Sequence, residues 1–441
     1  MRVVVIGGGP AGMAAASRVR KHASNSEVIV IERTKYVSFA LCGIPYYVGG
    51  IIKSLDELLY YPPEFFVKKR GINLELEATA KEIDVNERKV IYEKRGEIRE
   101  IEYDKLIVAT GARPKFPPIP GLSEEGILTA HHLDEGEEIR RKVQKAKSVA
   151  VIGAGLNGME FSENIARLGK EVHVFEAMGW PLPMALDEDM GSILRKRIGE
   201  LVKFHFNSPV SEVRKIGDRF RISYRDSAVE VDLVLVFTGI EPSVDLLKNA
   251  GAEIGGAGAV KVNSKMETSI KDVYAAGDIA ETINRVTGKP DWMPFAQIAN
   301  KMGLVAGSNA AGKDVEFLGA VRTWTAELFG VEVAGTGLTE TQAKEIGYDV
   351  RGEVIKGRTK AHYMPNVEDI WIKILVDQDN RVLGVQAIGR GALSKVNVAA
   401  ALLPYGVRSN DVVFADMGYA PPLAPVWDPL IVAGRRMDPI L

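Results

Sequence analysis

Apolar residues recur along this chain in short unbroken runs, each closed by glycine. Residues 3–6 form such a run and meet a glycine-rich turn at residues 7–12. Residues 13–20 then carry helical spacing, and a second run at 28–31 ends at Glu32. Runs without polar alternation predict parallel strands covered on both faces. The same order returns at 149–152, 153–158, a helix through Leu168, and 172–175 ending at Glu176. Two copies of one βαβ unit are therefore expected, offset by the 146 residues from Gly7 to Gly153.

Residues 83–103 alternate and are rich in charge, which predicts antiparallel strands. A strand follows at 106–109 and runs into Thr110-Gly111. The four prolines between Arg113 and Gly121 read as a crossing linker. Another strand, 233–237, ends at Thr238-Gly239 and echoes the first. Past Ala320 the pattern changes, and strands at 367–376 and 381–387 predict an α+β unit.

Composition narrows the classes of function. A chain of 441 residues corresponds to about three domains at roughly 150 residues each. A net charge of −2 leaves no electrostatic case for nucleic acid or an anionic membrane surface. No run of eighteen apolar residues is present, so no membrane span is expected. The N-terminus lacks the basic leader and cleavage site of a signal peptide, and a cytoplasmic location is expected. One cysteine, Cys42, excludes an intrachain disulfide and a cysteine-rich zinc site. Without further context a lone cysteine is a small buried hydrophobe. His131-His132 read as surface residues, since no second ligand pair has suitable spacing, and no metal is expected.

The two glycine turns carry the strongest signal. Gly7-x-Gly9-x-x-Gly12 follows a strand and opens a helix, with Glu32 twenty residues after Gly12. Gly153-x-Gly155-x-x-Gly158 repeats it, with Glu176 eighteen residues after Gly158. The first glycine permits the turn, the second admits a pyrophosphate, and the third packs helix on strand. The phosphates would sit at the helix N-terminus, and the acid would accept from a ribose hydroxyl. Two dinucleotides are expected. A third element, the short strand 273–276 followed by Gly277-Asp278, brings backbone and a carboxylate to a ligand. Glu176 favours a free 2′-hydroxyl, and no arginine stands at 177–180, so NADH is expected over NADPH.

Behind two such fingerprints, Gly277-Asp278 resembles the second FAD motif of the pyridine nucleotide-disulfide reductase family, where the aspartate binds the ribityl chain. Ser38-Phe39-Ala40-Leu41-Cys42-Gly43-Ile44-Pro45-Tyr46 resembles that family's single-cysteine branch, because Tyr47 stands where a second cysteine would. That branch holds coenzyme A-disulfide reductases, NADH oxidases and peroxidases, and archaeal sulfur reductases. The similarity includes Tyr60-Tyr61-Pro62-Pro63 and Tyr419-Ala420-Pro421-Pro422. It is closest to the coenzyme A-disulfide and archaeal NAD(P)H sulfur reductases.

The resemblance implies an α/β fold with two Rossmann-like domains and a C-terminal α+β dimerisation domain. Its boundaries would be 1–112 and 241–320 for the FAD domain, 113–240 for the NAD(P)H domain and 321–441 for dimerisation. Gly7, Gly9, Gly12, Glu32, Arg33, Thr110, Gly111, Gly277 and Asp278 would hold FAD. Gly153, Gly155, Gly158, Glu160, Glu176 and Gly239 would hold NADH. For Glu160 the alternative is an exposed first-turn acid complementing the helix dipole.

Implied too is hydride transfer from NADH to flavin, and then reduction of sulfur held on Cys42. The second sulfur comes from outside, as coenzyme A, a persulfide or a polysulfide, or Cys42 cycles as a sulfenic acid. The Cys42 thiolate is expected to be favoured by the flavin environment and nearby donors.

Departures from the family also inform. Pro10 replaces the histidine of the peroxidases, and residues 419–428 lack the histidine of two-cysteine enzymes. Tyr363 and Tyr419 match tyrosines that reach the partner's site in coenzyme A-disulfide reductases, which implies a homodimer with shared sites. Arg18, Lys21, Ser38, Arg70 and Asn300 stand at or near coenzyme A positions, although the two helix residues also suit a solvated face. Leu41 replaces an asparagine that touches coenzyme A in some members. Oxygen as acceptor, or a protein electron carrier, are the alternative readings.

Overall fold

The computed structural model describes residues 1–438. A five-stranded parallel sheet orders its strands Val273–Ala275, Lys105–Val108, Arg2–Ile6, Glu27–Glu32 and Asn73–Leu76. The chain thus leaves this sheet after Val108 and returns to it some 165 residues later at Val273, counted from 273 minus 108. The unbroken Val and Ile runs suit it, because Val3, Val4 and Val5 are wholly buried.

A second parallel sheet orders Lys203–His205, Glu171–Phe175, Ser148–Ile152 and Leu233–Val236. The two units are linked by an antiparallel pair, Ala112–Pro114 with Ile240–Pro242. The proline-rich crossing therefore begins as a strand. Two antiparallel meanders accompany the parallel sheets. One is Ala78–Asp84, Lys89–Lys94 and Glu97–Glu102, which overlaps the predicted alternating stretch 83–103 but begins five residues before it. The other is Val210–Ile216, Arg219–Tyr224 and Ser227–Val231.

The C-terminal unit is a five-stranded antiparallel sheet, ordered Trp324–Leu328, Val331–Gly337, Val382–Ile388, Asp369–Asp377 and Val350–Arg358. Helices Ala392–Leu402 and Pro429–Met437 pack on it. The α/β plus α+β architecture expected from the pattern is the one observed. Among the described residues no helix is long and apolar enough to cross a membrane.

One helix pair aligns the first fingerprint. Helix Ala296–Ala310 lies against helix Pro10–His22 with Gly303 facing Ala11 and Gly307 facing Ala15. A Cβ on Gly303 would stand 2.1 Å from the Ala11 carbonyl oxygen, so the two backbones touch.

Candidate active site

The two glycine turns are built alike. A Cβ on Gly12 would stand 1.8 Å from the Gly7 carbonyl oxygen, and one on Gly158 2.0 Å from that of Gly153. The third glycines thus let helix meet turn. By contrast, nothing lies within 4 Å of a Cβ placed on Gly9 or Gly155. Each turn opens there onto free space beside a helix N-terminus, where a pyrophosphate fits.

The terminal acids do something the sequence did not reveal. Glu32 is buried, and its carboxylate accepts from the Gly8 N–H at 2.7 Å and the Thr34 N–H at 2.8 Å. Glu176 accepts from Ala154 N–H at 2.9 Å and Met178 N–H at 3.0 Å. Each acid ties its glycine turn to the strand end, and a carboxylate has lone pairs left for a ribose. Arg33, beside Glu32, is exposed.

Thr110 donates to the Ser243 carbonyl at 3.0 Å and Thr238 to that of Lys115 at 2.8 Å, which fastens the two crossings between units. Gly111 and Gly239 follow with open space at their Cβ positions. Gly277 adopts φ +83°, and its Cβ position lies 2.9 Å from the Ala11 side chain, so the Asp278 turn meets the first fingerprint closely.

Asp278 stands out electrostatically. Its Oδ1 is buried without a hydrogen-bond partner, and burial pushes the carboxyl up to about 6. A buried polar atom with no partner is costly unless a ligand supplies one.

Cys42 is held by its neighbours. Leu41–Gly43 is a 3₁₀ turn that continues directly into helix Ile44–Val48. Phe39, Ile44, Tyr47 and Val48 are buried in a core shared with Leu133, Ile165, Trp324 and Leu328. Tyr47, in the place of a second cysteine, bonds Glu137 through its hydroxyl, with the Arg140 guanidinium 4.2 Å from its ring centre.

The cysteine itself is exposed to a cavity of about 850 Å³. Gly155, Asn157 and Glu160 of the second fingerprint line it, as do Arg285 and Lys301. Cysteine and second turn therefore share one chamber.

The chain's own groups do not favour the thiolate. Low hydration raises the Cys42 thiol first, the charges of Glu160 and then Asp278 raise it further, and only a backbone N–H pulls it down. The expected donor environment is thus reversed in the protein alone, because two carboxylates face the sulfur. Glu160 is half-buried in the chamber, and not an exposed first-turn acid. Burial, with the Glu163 charge behind it, pushes its carboxyl up to about 7 against the hydrogen bond from Tyr46.

His131-His132 also depart from expectation. Both are half-buried, His131 lines the chamber, and both ring nitrogens of His132 are buried without partners. Burial, then the Arg33 and His131 charges, push His132 down to about 3. The strand bridge between Leu128 and Leu235 draws the segment inward, which local sequence does not encode. Among the described residues no three His, Cys, Asp or Glu side chains converge as metal ligands.

The remaining predicted residues lie outside this chamber. Tyr363 and Tyr419 are exposed, with their hydroxyls 3.3 Å apart, and neither lines it. Ser38, in the left-handed region at φ 55°, donates its N–H to the Gly8 carbonyl at 2.9 Å. Asn300 is exposed one helical turn before Gly303, the residue that packs on Ala11. Arg18 is half-buried and Lys21 exposed towards the far end of helix Pro10–His22, about 12 Å and about 16 Å from its start at 1.5 Å per residue. Arg70 is exposed over the Phe65 ring at 5.5 Å. Arg285, Lys301 and Tyr46 went unassigned in the sequence. Tyr46 had a legible signal, four residues after Cys42 on a helical stretch, whereas Arg285 and Lys301 had none.

Against known proteins, the pyridine nucleotide-disulphide oxidoreductase profile matches residues 1–303. The chain belongs to that family. The family's dimerisation domain matches residues 325–430. The chain is 43% identical to the NAD(P)H coenzyme A polysulfide/persulfide reductase of Pyrococcus horikoshii, over 98% of both chains. It is 33% identical to an NADH oxidase of Methanocaldococcus jannaschii, over 99% of this chain and 98% of the relative. A solved NAD-dependent persulfide reductase from A. fulgidus superposes with a TM-score of 0.95 at 36% identity, over 99% of this chain and 83% of that one. Family membership implies FAD and NAD(P)H. The residues present fit both groups, on the open turns at Gly9 and Gly155 and the partnerless Asp278 oxygen.

Proposed function

We propose that this oxidoreductase uses NADH to reduce a small sulfur acceptor, a coenzyme A disulfide or persulfide or a polysulfide, through Cys42. The observation that carries the reading is Cys42, alone in the chain, opening into the chamber lined by the second glycine turn. With Tyr47 in place of a second cysteine, the other sulfur has to arrive with the substrate.

FAD would be held by residues 1–112 and 241–320, on Gly7, Gly9, Gly12, Glu32, Arg33, Thr110, Gly111, Gly277 and Asp278. NADH would be held by residues 113–240, on Gly153, Gly155, Gly158, Glu160, Glu176 and Gly239. When bound, the flavin supplies the two-electron relay between nicotinamide and sulfur. The protein's own part is to hold the turn of Cys42 rigid, orient both dinucleotides and manage protons. A Cys42 thiolate attacks a disulfide RSSR, forming a Cys42–S–S–R bond and releasing RS⁻. Two electrons and one proton then break that bond, returning the Cys42 thiolate and RSH. Arg18, Lys21, Ser38, Arg70 and Asn300 would bind the anionic parts of coenzyme A. Residues 321–441 would pair two chains and bring Tyr363 and Tyr419 to the partner's sulfur as proton donors.

The relative named as an NADH oxidase supports oxygen as a second acceptor. Steady-state kinetics against coenzyme A disulfide, persulfide, polysulfide and oxygen separate the two. Cys42→Ser should abolish turnover of every sulfur acceptor while FAD stays bound and reducible by NADH. Full sulfur reduction by that variant would overturn the reading.

A further inference from the structure

The loop that follows Glu176 is tied at both ends and in the middle. Residues 177–186 include Pro181 and Pro183 and form no helix or strand. The loop starts from the Glu176 carboxylate, which takes the N–H groups of Ala154 and Met178. Midway, Leu182 donates its N–H back to the Ala154 carbonyl at 2.9 Å. The loop ends at Asp187, the N-cap residue of helix Glu188–Arg197.

The first unit carries the same tie. Ser38 stands six residues after Glu32 (38 minus 32) and donates its N–H to the Gly8 carbonyl, as Leu182 does six residues after Glu176 (182 minus 176). Both donors adopt the left-handed conformation, at φ 55° and 57°. Leu182 is bulky and only 1% exposed, so its backbone is strained. Such a conformation persists only where the surroundings hold it. The first tied segment runs on to Cys42, and the second runs on to a buried charge.

That charge is Lys373, on strand Asp369–Asp377 of the C-terminal sheet and 3% exposed. Its ammonium lies 3.2 Å from Asp187, 2.9 Å from Asp189 and 2.9 Å from Glu340. Gln386, opposite Lys373 on the neighbouring strand, donates to the Asp187 carboxylate at 2.7 Å and accepts the Asp187 N–H at 3.0 Å. The Glu340 N–H reaches the same carboxylate at 2.9 Å. Gln342 also donates to the Met184 carbonyl within the loop, at 3.3 Å. Burial lowers the Lys373 ammonium, but its bonds to Asp189 and Glu340 outweigh burial and keep it charged.

We propose that Lys373 is a positioning residue for NADH, which holds the loop 177–186 in its strained form through Asp187 and so keeps the second glycine turn ready for the adenosine half of the cofactor. The inference rests on the reading of that turn as the NADH site and adds a group from another unit that fixes it. Lys373 touches no nucleotide. It acts through Asp187, Leu182 and Ala154 on the residues that do. A buried ion cluster adds little net stability over an apolar filling of the same volume, and what this one supplies is a single arrangement of the loop.

The test is NAD⁺ binding to flavin-loaded protein by calorimetry, for wild type, Lys373→Met and Gln386→Met. Lys373→Met should raise the dissociation constant roughly tenfold, as when the held loop falls to about a tenth of the population. Gln386→Met removes both side-chain bonds to Asp187 without stranding a charge, and should raise it roughly threefold or more. It carries the test where Lys373→Met does not fold. Flavin content and melting temperature establish folding. In anaerobic flavin reduction the half-saturating NADH concentration should rise by the same factors, with the limiting rate within about twofold of wild type. Reduced nicotinamide mononucleotide lacks the adenosine half and should reduce all three proteins equally well.

Unchanged NAD⁺ affinity in the folded variants would overturn the clamp, even with a lowered melting temperature. An equal loss with reduced nicotinamide mononucleotide would overturn it too, because the effect would not pass through the adenosine side. Failure of the nucleotide reading itself would show separately, as Glu176→Ala binding NAD⁺ as tightly as wild type.

Discussion

Replacing Asp278 by asparagine should have opposite effects on the flavin-free and flavin-bound protein. The carboxyl is buried with Oδ1 unpartnered, and burial moves it from 3.8 to about 6. That is about two units, or ~3 kcal/mol at about 1.4 kcal/mol per unit, as an order of magnitude. The folded value lies above the unfolded one. Stability of the flavin-free chain from this group is thus fully present below about pH 4 and lost as pH rises through about 6. At neutral pH the ionised carboxylate is a burden that FAD hydroxyls would relieve by donating to it.

Flavin-free Asp278→Asn should therefore melt several degrees above the flavin-free wild type at pH 7, and the difference should close towards about pH 4. Comparing the two proteins at each pH cancels every other carboxylate. Flavin-bound Asp278→Asn should lose FAD affinity instead, by roughly tenfold to a hundredfold for one charge-assisted hydrogen bond. Scanning fluorimetry of flavin-stripped protein and FAD titration by fluorescence quenching supply both readings. A variant that melts lower than wild type without flavin, or that binds FAD equally tightly, would refute the reasoning.

Three further outcomes follow from the geometry. Glu176→Ala should weaken NADH use, since the turn at Ala154 and Met178 loses its acceptor, and adding Met178→Arg should raise the NADPH/NADH efficiency ratio roughly tenfold or more. An unchanged ratio would mean selectivity lies outside this loop. Gly303→Ala should destabilise the protein by roughly 1–3 kcal/mol or more and lower its flavin content, because the new Cβ would lie 2.1 Å from the Ala11 carbonyl. A normal melting curve would show that the helix pair can separate. On the proposed sharing of sites between two chains, mixed dimers of Cys42→Ser and Tyr419→Phe chains should recover activity absent from both parents, since one composite site would be intact. Inactive mixed dimers would put the tyrosine in its own chain's site.

Periodicity and spacing alone carried a large part of this protein. Unbroken apolar runs at 3–6 and 149–152, each followed by three glycines and a strand-end acid, specify two nucleotide-binding turns. Every constraint there is local: a positive φ, a missing Cβ, a helix N-terminus and an acid within one βαβ unit. The single cysteine and Tyr47 beside it were equally legible, because the absence of a partner can be counted.

The tertiary structure decided what faces what. It turned His131 and His132 inward, because the bridge between Leu128 and Leu235 is formed across more than a hundred residues, 235 minus 128. It brought Glu160 and Tyr46, 114 residues apart, into one hydrogen bond, and set Arg285 and Lys301 around a sulfur far away in sequence. It set carboxylates from separate segments towards Cys42, so the chain's own groups, without flavin, oppose the thiolate. A residue's conformation is written into its neighbours along the chain, but its electrostatic surroundings are set by whichever segments packing brings near. The dinucleotide turns could therefore be read from the sequence, and the protonation of the sulfur site only from the fold.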